Sequence, residues 1–136
     1  MSENLGFGPE YIDRVRKGVE LFNEEKFWEC HEALEHHWLE DAHDPVRYVY
    51  WAIIQVAACL LHYKNQNTVG ANGLLIKAKR KFVKVRELKI GNNYLDKVLS
   101  WDKLEKLVMS IPDGSSLDRY HELYEFKFNE LPGDKK

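Results

Sequence analysis

A stretch at about residues 45–65 limits the fold more than any other part of the chain. Every side chain at positions 49–61 is apolar or aromatic except that of Gln55. A helix that is apolar on all sides has to be surrounded by other elements. The apolar run is too short for a membrane-spanning helix, which needs about 20 such residues. We therefore predict a central helix at about 45–65, with Asp44 as its N-cap and Pro45 as its first residue.

The rest of the chain shows helical periodicity. Apolar residues recur three or four positions apart through most of its length, and only the segment 124–129 alternates with a period of two. A chain of 136 residues has the length of one ordinary domain. We predict an all-α, single-domain bundle of five to six helices over residues 9–131, with a loosely ordered segment at 1–8 and a frayed tail at 132–136.

Capping and breaking residues indicate where individual helices begin and end. Pro9 is suited to the first position of the first helix. Thr68 is the expected N-cap of the fourth helix, and Gly91 is expected to end it. Ser100 is the expected N-cap of a shorter helix that ends before Pro112.

Opposite charges are concentrated in two parts of the chain. Residues 23–44 contain eight acids and one Lys, and residues 77–89 contain seven bases and one Glu. Three interpretations stay open: solvated faces that attract each other, a phosphate or nucleic-acid surface, or pairing between copies of the chain. The net charge of −2 and the lone aromatic Phe82 argue against nucleic acid as a partner, and a homo-oligomer stays open. The basic face consists of Lys77, Arg80, Lys81 and Lys84.

The two cysteines, Cys30 and Cys59, lie among apolar residues and show no metal-binding spacing. We expect two buried, reduced thiols in a cytoplasmic protein. A disulfide between them, or a nucleophilic Cys30 beside His31, is a weaker alternative. The first residues contain neither a basic nor an apolar export region, so we expect no export and no membrane association.

A polar site is predicted between the second and third helices. His31 lies one helical turn from Glu35 and beside the apolar stripe of the second helix. Gln55 interrupts the apolar third helix, and His62, seven residues later, lies on the same side. Since buried polar groups need partners, these side chains are expected to face each other across a polar seam. The candidate site residues are Glu29, His31, Glu32, Glu35, Gln55 and His62.

Three interpretations of this site compete. It is a hydrogen-bonded network that fixes the helix register, a divalent-metal site, or an acid–base or ligand pocket that uses His31 and Glu32. The metal interpretation relies on the i, i+4 spacing of His31 and Glu35, although a zinc-protease motif would have a second His in place of Glu35. The candidate metal ligands are His31 and Glu35 with His62, Glu29 or His121 as the third.

Two blocks of sequence follow one another along the chain. The first block consists of Phe22-Asn23, Phe27-Trp28-Glu29, His31-Glu32, Leu34-Glu35 and Trp38. The second consists of Ile54-Gln55-Val56-Ala57, His62, Asn67, Gly70-Ala71, Leu74-Leu75 and Lys77-Ala78. Together they resemble the small prokaryotic helical proteins of the domain of unknown function 309 family. The resemblance covers about residues 9–90, is poor after Gly91, and departs from the family at Ala52, where the family usually has Gly.

The resemblance implies a helical bundle and supplies no reaction. It adds weight to the six polar residues as one site, but a fold does not name the chemistry of a site. We expect a small-ligand-binding or accessory protein. The alternatives are a metal-dependent, hydrolase-like enzyme that uses His31, Glu32 and Glu35, and a homo-oligomeric interaction module.

Overall fold

The computed structural model describes residues 6–41 and 43–133, and within these ranges it contains helices and no β-strand. The predicted all-α fold is confirmed. The described residues form seven α-helices, more than the five or six predicted, because the chain after residue 92 forms three short helices. The α-helices are α1 (Ile12–Asn23), α2 (Phe27–Glu40), α3 (Arg47–Lys64), α4 (Thr68–Glu87), α5 (Asn93–Leu99), α6 (Trp101–Ser110) and α7 (His121–Glu125). Two 3₁₀ helices span Pro9–Tyr11 and Leu117–Tyr120.

The predicted central helix is α3. It packs against α2 on one side and against α4 on another, while α1 packs on α2. Ala52 and Ile53 are completely buried, and Gln55 is the buried polar residue of the described part of the chain. One core cluster contains residues from the start of the described chain, Phe7, to its end at Leu131. Burial of this apolar surface is the main stabilising contribution to the bundle.

Glycine allows a close approach of α1 to α2. A Cβ atom on Gly18 would lie 2.5 Å from Leu34 Cγ, and Leu34 is fully buried. Gly70 has the His62 ring 2.6 Å from where its Cβ would stand. Gly73, three residues later, has nothing within 4 Å. The contact at Gly18 therefore sets the spacing of the helix that carries the candidate site.

Polar contacts fix the connection between α2 and α3. Asp44 accepts hydrogen bonds from the Val46 N–H (2.9 Å) and the Tyr11 hydroxyl (2.8 Å). It therefore caps the turn that leads into α3, and α3 itself begins at Arg47. The Arg14 guanidinium contacts both oxygens of Asp41 at 3.0 and 3.1 Å. These contacts tie the start of α1 to the turn that orients α2 relative to α3.

Two expected helix boundaries, both of α4, are wrong. Asn67 rather than Thr68 caps α4, since its Oδ1 accepts from the Gly70 N–H at 2.9 Å. This helix ends at Glu87, and the left-handed residue that follows is Lys89 (φ 59°) rather than Gly91. Ser100 is the N-cap residue of α6, as predicted, and this helix ends before Pro112, but Ser100 has left-handed backbone (φ 50°) and its side chain makes no capping hydrogen bond. Side-chain hydrogen bonds and packing contacts decide where α4 begins and ends, and they outweigh the intrinsic preference of glycine for a helix C-terminus.

The two ends of the described chain pack against the bundle. Phe7, in the segment expected to be loose, is buried, and its N–H donates to the Ile90 carbonyl at 3.2 Å. After α7 the chain is irregular, and Phe126 and Phe128 are buried while Lys127 between them is exposed. The rest of the expected loose ends, residues 1–5 and 134–136, lies outside the described residues.

Both cysteines are free and buried. Burial raises the pKa of each thiol to about 12, so neither is a nucleophile at neutral pH. Within the described ranges, we find no helix that combines the length and apolar character needed to cross a bilayer.

Candidate functional site

A cleft of about 230 Å³ lies over one side of α3, between α2 and the start of α4. Its floor comes from α3 residues spaced three or four apart, which places them on one face of that helix. One wall comes from α2 and the other from Leu74 of α4. The lining residues are His31, Glu35, Trp38, Trp51, Ile54, Gln55, Ala58 and Leu74.

The α2 wall is formed by side chains that flank the buried stripe of the helix. Leu34 points into the core, so His31 and Trp38, one turn before and after it, lie at the edge of the core and border the cleft. The His31 ring stacks on the exposed ring of Trp28, with centroids 5.1 Å apart and planes inclined by 14°. This stacking orients the imidazole, since an aromatic neighbour restricts its rotation.

Two buried polar atoms at the cleft have no protein hydrogen-bond partner. They are His31 Nδ1 and Trp38 Nε1. The Trp38 ring packs against Trp51, with centroids 4.9 Å apart. Glu35 lines the same cleft and forms no hydrogen bond or ion pair within residues 6–41 and 43–133. Unsatisfied buried polar atoms are rare in folded proteins, so their occurrence together at one cleft calls for a physical explanation.

Gln55 bonds within α3 and to α4, not to α2. The neighbouring groups assign the orientation of its amide, in which the N–H₂ donates to the Lys77 carbonyl at 2.9 Å and the oxygen accepts from Trp51 Nε1 at 3.2 Å. The amide thereby orients the Trp51 indole on the cleft floor. The predicted hydrogen bonds from Gln55 to the α2 residues are not formed among the described residues, because α4 supplies a backbone acceptor nearer to it.

The other predicted site residues lie elsewhere. Glu29 and Glu32 are exposed and do not line the cleft. Glu29 occupies the first turn of α2, where a carboxylate is favourable because it lies near the helix N-terminus. His62 lies at the end of α3, with Nδ1 3.2 Å from the Asn67 amide nitrogen. The structure therefore brings together three of the six predicted residues, His31, Glu35 and Gln55.

The interpretation of the site as a metal centre gains no support from the described residues. Across the part of the chain that the structure describes, no group of three or more His, Cys, Asp or Glu side chains is placed to hold a metal ion. His62 faces the turn between α3 and α4, where the chain reverses, while His31 and Glu35 line the cleft. His121 pairs with Glu125 on its own short helix, with 3.1 Å between Nε2 and the carboxylate.

Basic and aromatic side chains border the cleft on the α4 side. Lys81 Nζ lies 4.2 Å from the centre of the Trp51 ring, and Lys84 Nζ lies 5.9 Å from the centre of the Tyr48 ring. Arg47 covers Tyr48 at 4.7 Å. Burial, followed by the positive charges of neighbouring side chains, lowers the pKa of Lys81. The aromatic residues that the basic helix itself lacks are thus supplied by α3.

Comparison with known families agrees with the two sequence blocks. Residues 15–74 match the family model described as Domain of unknown function (DUF309). The resemblance to this family is confirmed, over a shorter range than the expected 9–90. The DUF309 range contains α2, α3 and the first part of α4. Every residue that lines the cleft falls within it.

One curated relative is similar to part of the chain. It is described as Uncharacterized protein YpuF, from Bacillus subtilis (strain 168), and is 41% identical over 71 residues. The match covers 52% of this chain and 38% of that protein, so the chain spans less than half of the relative's length. No solved structure matches the chain.

Sequence reasoning missed the part that the tryptophans play in this site. Aromatic side chains more often fill cores than line sites, so Trp38 and Trp51 do not stand out in the sequence as site residues. A signal was nevertheless present, since Trp38 follows His31 by two helical turns and Trp51 precedes Gln55 by one. Residues at those spacings share a helix face with the polar candidates.

Proposed function

We propose that the cleft binds a small, planar, polar molecule. The observation that carries this proposal is the pair of buried atoms without a protein partner, His31 Nδ1 and Trp38 Nε1. A buried polar atom that lacks a hydrogen bond costs about 1–3 kcal/mol. A ligand that bonds to these atoms regains that free energy on binding, whereas a merely structural cleft gains nothing from them.

A structural network is the competing explanation, but the contacts at the cleft support it less than they support ligand binding. Such a network would join α2 to α3 through hydrogen bonds among the polar candidates. In the described part of the chain, Glu35 forms no such bond, and Gln55 is satisfied by Lys77 and Trp51. The α2 polar groups are therefore available to a ligand.

The cleft indicates the size and chemistry of the ligand. Its 230 Å³ equals the liquid volume of about eight waters, at roughly 30 Å³ each. Trp38 offers an N–H donor, Glu35 offers an acceptor one helical turn away, and the Trp51 ring offers an apolar surface. A planar lactam or carboxamide, in which an N–H lies beside a C=O, complements this arrangement.

The proposal is tested with 2-pyridone, a six-membered planar lactam. We expect saturable binding, measured as a change in tryptophan fluorescence, because Trp38 and Trp51 line the cleft. The Glu35→Gln variant loses the charged acceptor, so its affinity should fall at least about tenfold, equivalent to about 1.4 kcal/mol.

Glu29→Gln is the matched control, since it makes the same chemical change on an exposed part of the same helix. It should bind 2-pyridone as the unmodified chain does. Equal affinity of all three proteins would contradict the proposal. A large loss of stability in Glu35→Gln with no measurable binding to the unmodified chain would favour the structural network instead.

A further inference from the structure

The side of α2 at the edge of the cleft carries unpaired acids between exposed apolar side chains. Trp28 and Leu39 are 53% and 61% exposed, and they are two of the four large apolar side chains that are exposed in the described ranges. Glu32 and Glu35 lie between them at helical spacing, so the four side chains form one stripe. Neither carboxylate forms an ion pair within residues 6–41 and 43–133. This acidic stripe therefore has no partner among the described parts of its own chain.

The facing side of α4 carries bases that are equally unpaired. Lys77, Lys81 and Lys84 form no ion pair in the described ranges, although Lys81 and Lys84 contact aromatic rings of α3. The same helix pairs two other bases: Lys79 contacts Asp113 at 2.7 Å, and Arg86 contacts Glu105. Arg80, exposed on the same helix, also forms no ion pair in the described ranges. We define the basic stripe as Lys77, Lys81 and Lys84, the unpaired bases nearest to the cleft.

The two stripes border one surface. Both α2 and α4 pack on α3, and residues of both helices line the cleft over it. The acidic stripe thus follows one edge of this surface and the basic stripe follows the other. A surface with acids along one edge and bases along the other is complementary to its own copy rotated by 180°.

We propose that this surface pairs with a second copy of the chain about a two-fold axis, the α2 helix of each protomer docking on the α4 helix of its partner. Each contact then joins an acidic stripe to a basic stripe, and both contacts form at once because a two-fold interface is self-complementary. Trp28 and Leu39 become buried, which adds the apolar anchoring that stable interfaces need. The inference does not depend on a ligand in the cleft.

A nucleic acid is the other occupant that the bases could attract. Its phosphates would contact the basic stripe but would also approach Glu32 and Glu35 across the cleft, where like charges repel. It would leave Trp28 and Leu39 exposed. A second copy satisfies both stripes and the apolar residues, so the observations favour the homodimer.

The test is the mass of the full chain in solution, measured by light scattering without added ligand. In low salt we expect twice the mass of one chain, with weaker dimerisation at high salt because ions screen the paired charges. Glu32→Lys/Glu35→Lys and Lys77→Glu/Lys84→Glu should each weaken the dimer at least about tenfold. An equimolar mixture of the two variants should restore dimers, since each reversed stripe then meets an opposite one.

The matched control is Lys97→Glu/Lys103→Glu, which changes the net charge by the same amount as Lys77→Glu/Lys84→Glu but at exposed positions of α5 and α6. It should dimerise normally, and circular dichroism should report the same helicity for all proteins. A monomer in low salt, a mass above that of a dimer, or a mixture that stays monomeric would overturn the proposal. So would a monomer that binds oligo(dT) and loses that binding in Lys77→Glu/Lys84→Glu.

Discussion

Substitution of Gly18 by Ala tests the contact that sets the position of α2. The new Cβ would stand 2.5–2.9 Å from three side-chain carbons of Leu34, which is fully buried and has no room to retreat. Either α1 and α2 separate or Leu34 leaves its preferred rotamer. Overpacking of this kind costs about 1–3 kcal/mol. The change also gains up to about 1 kcal/mol of helix propensity, which partly hides that cost.

Gly73→Ala separates the two contributions. Gly73 also lies inside a helix but has nothing within 4 Å of its Cβ position, so this variant should gain the helix propensity alone. The difference in unfolding free energy between the two variants therefore gives the steric cost, which we expect to be about 1–3 kcal/mol. Urea unfolding should place the Gly18→Ala midpoint lower, by about 1 M if the m-value is near 2 kcal/mol/M. Coincident midpoints would refute the reasoning.

Two further predictions concern the turns. The Tyr124 hydroxyl donates a hydrogen bond to Glu25 and holds the pKa of that carboxyl below its ordinary value of 4.5. This pair therefore stabilises the fold above about pH 4.5. The stabilisation is lost as the pH falls through the lowered pKa. Tyr124→Phe should flatten the decline in stability below pH 4.5, followed by acid titration at constant temperature; an unchanged acid profile would exclude this role. Gln66 has left-handed backbone (φ 58°) at an exposed position. Gln66→Gly should therefore raise the free energy of unfolding, measured in urea, by up to about 1 kcal/mol. A lower urea midpoint for this variant would show that the turn is not strained.

The central helix and half of the candidate site could be predicted because they depend on local pattern. The apolar residues around Gln55 point to burial, whatever the neighbouring elements are. The positions of His31 and Glu35 beside the core stripe follow from helical spacing alone. What the pattern could not reveal is the acceptor of the Gln55 amide, since the Lys77 carbonyl comes from another helix.

The remaining errors arise where tertiary contacts decide the conformation. The position of His62 depends on the turn that follows α3, whose Asn67 contacts its ring. The start of α6 after Ser100 agrees with the prediction, but the left-handed backbone of Ser100 could not be predicted, because serine has no strong preference for that conformation. Asn92 caps α5 by accepting from the Leu95 N–H at 2.8 Å, and a helix of seven residues has too little periodicity to be recognised from spacing.

The measurement that tests the central claim most directly is the NMR signal of the Trp38 indole N–H during a titration with 2-pyridone. The chain has four tryptophans, so four indole signals can be assigned by single Trp→Phe variants. A saturable shift of the Trp38 signal is expected, because a ligand carbonyl would accept its unpartnered N–H. Trp101, which packs on Phe82 away from the cleft, should not move. A Trp38 signal that stays in place, or four signals that move alike, would contradict the account.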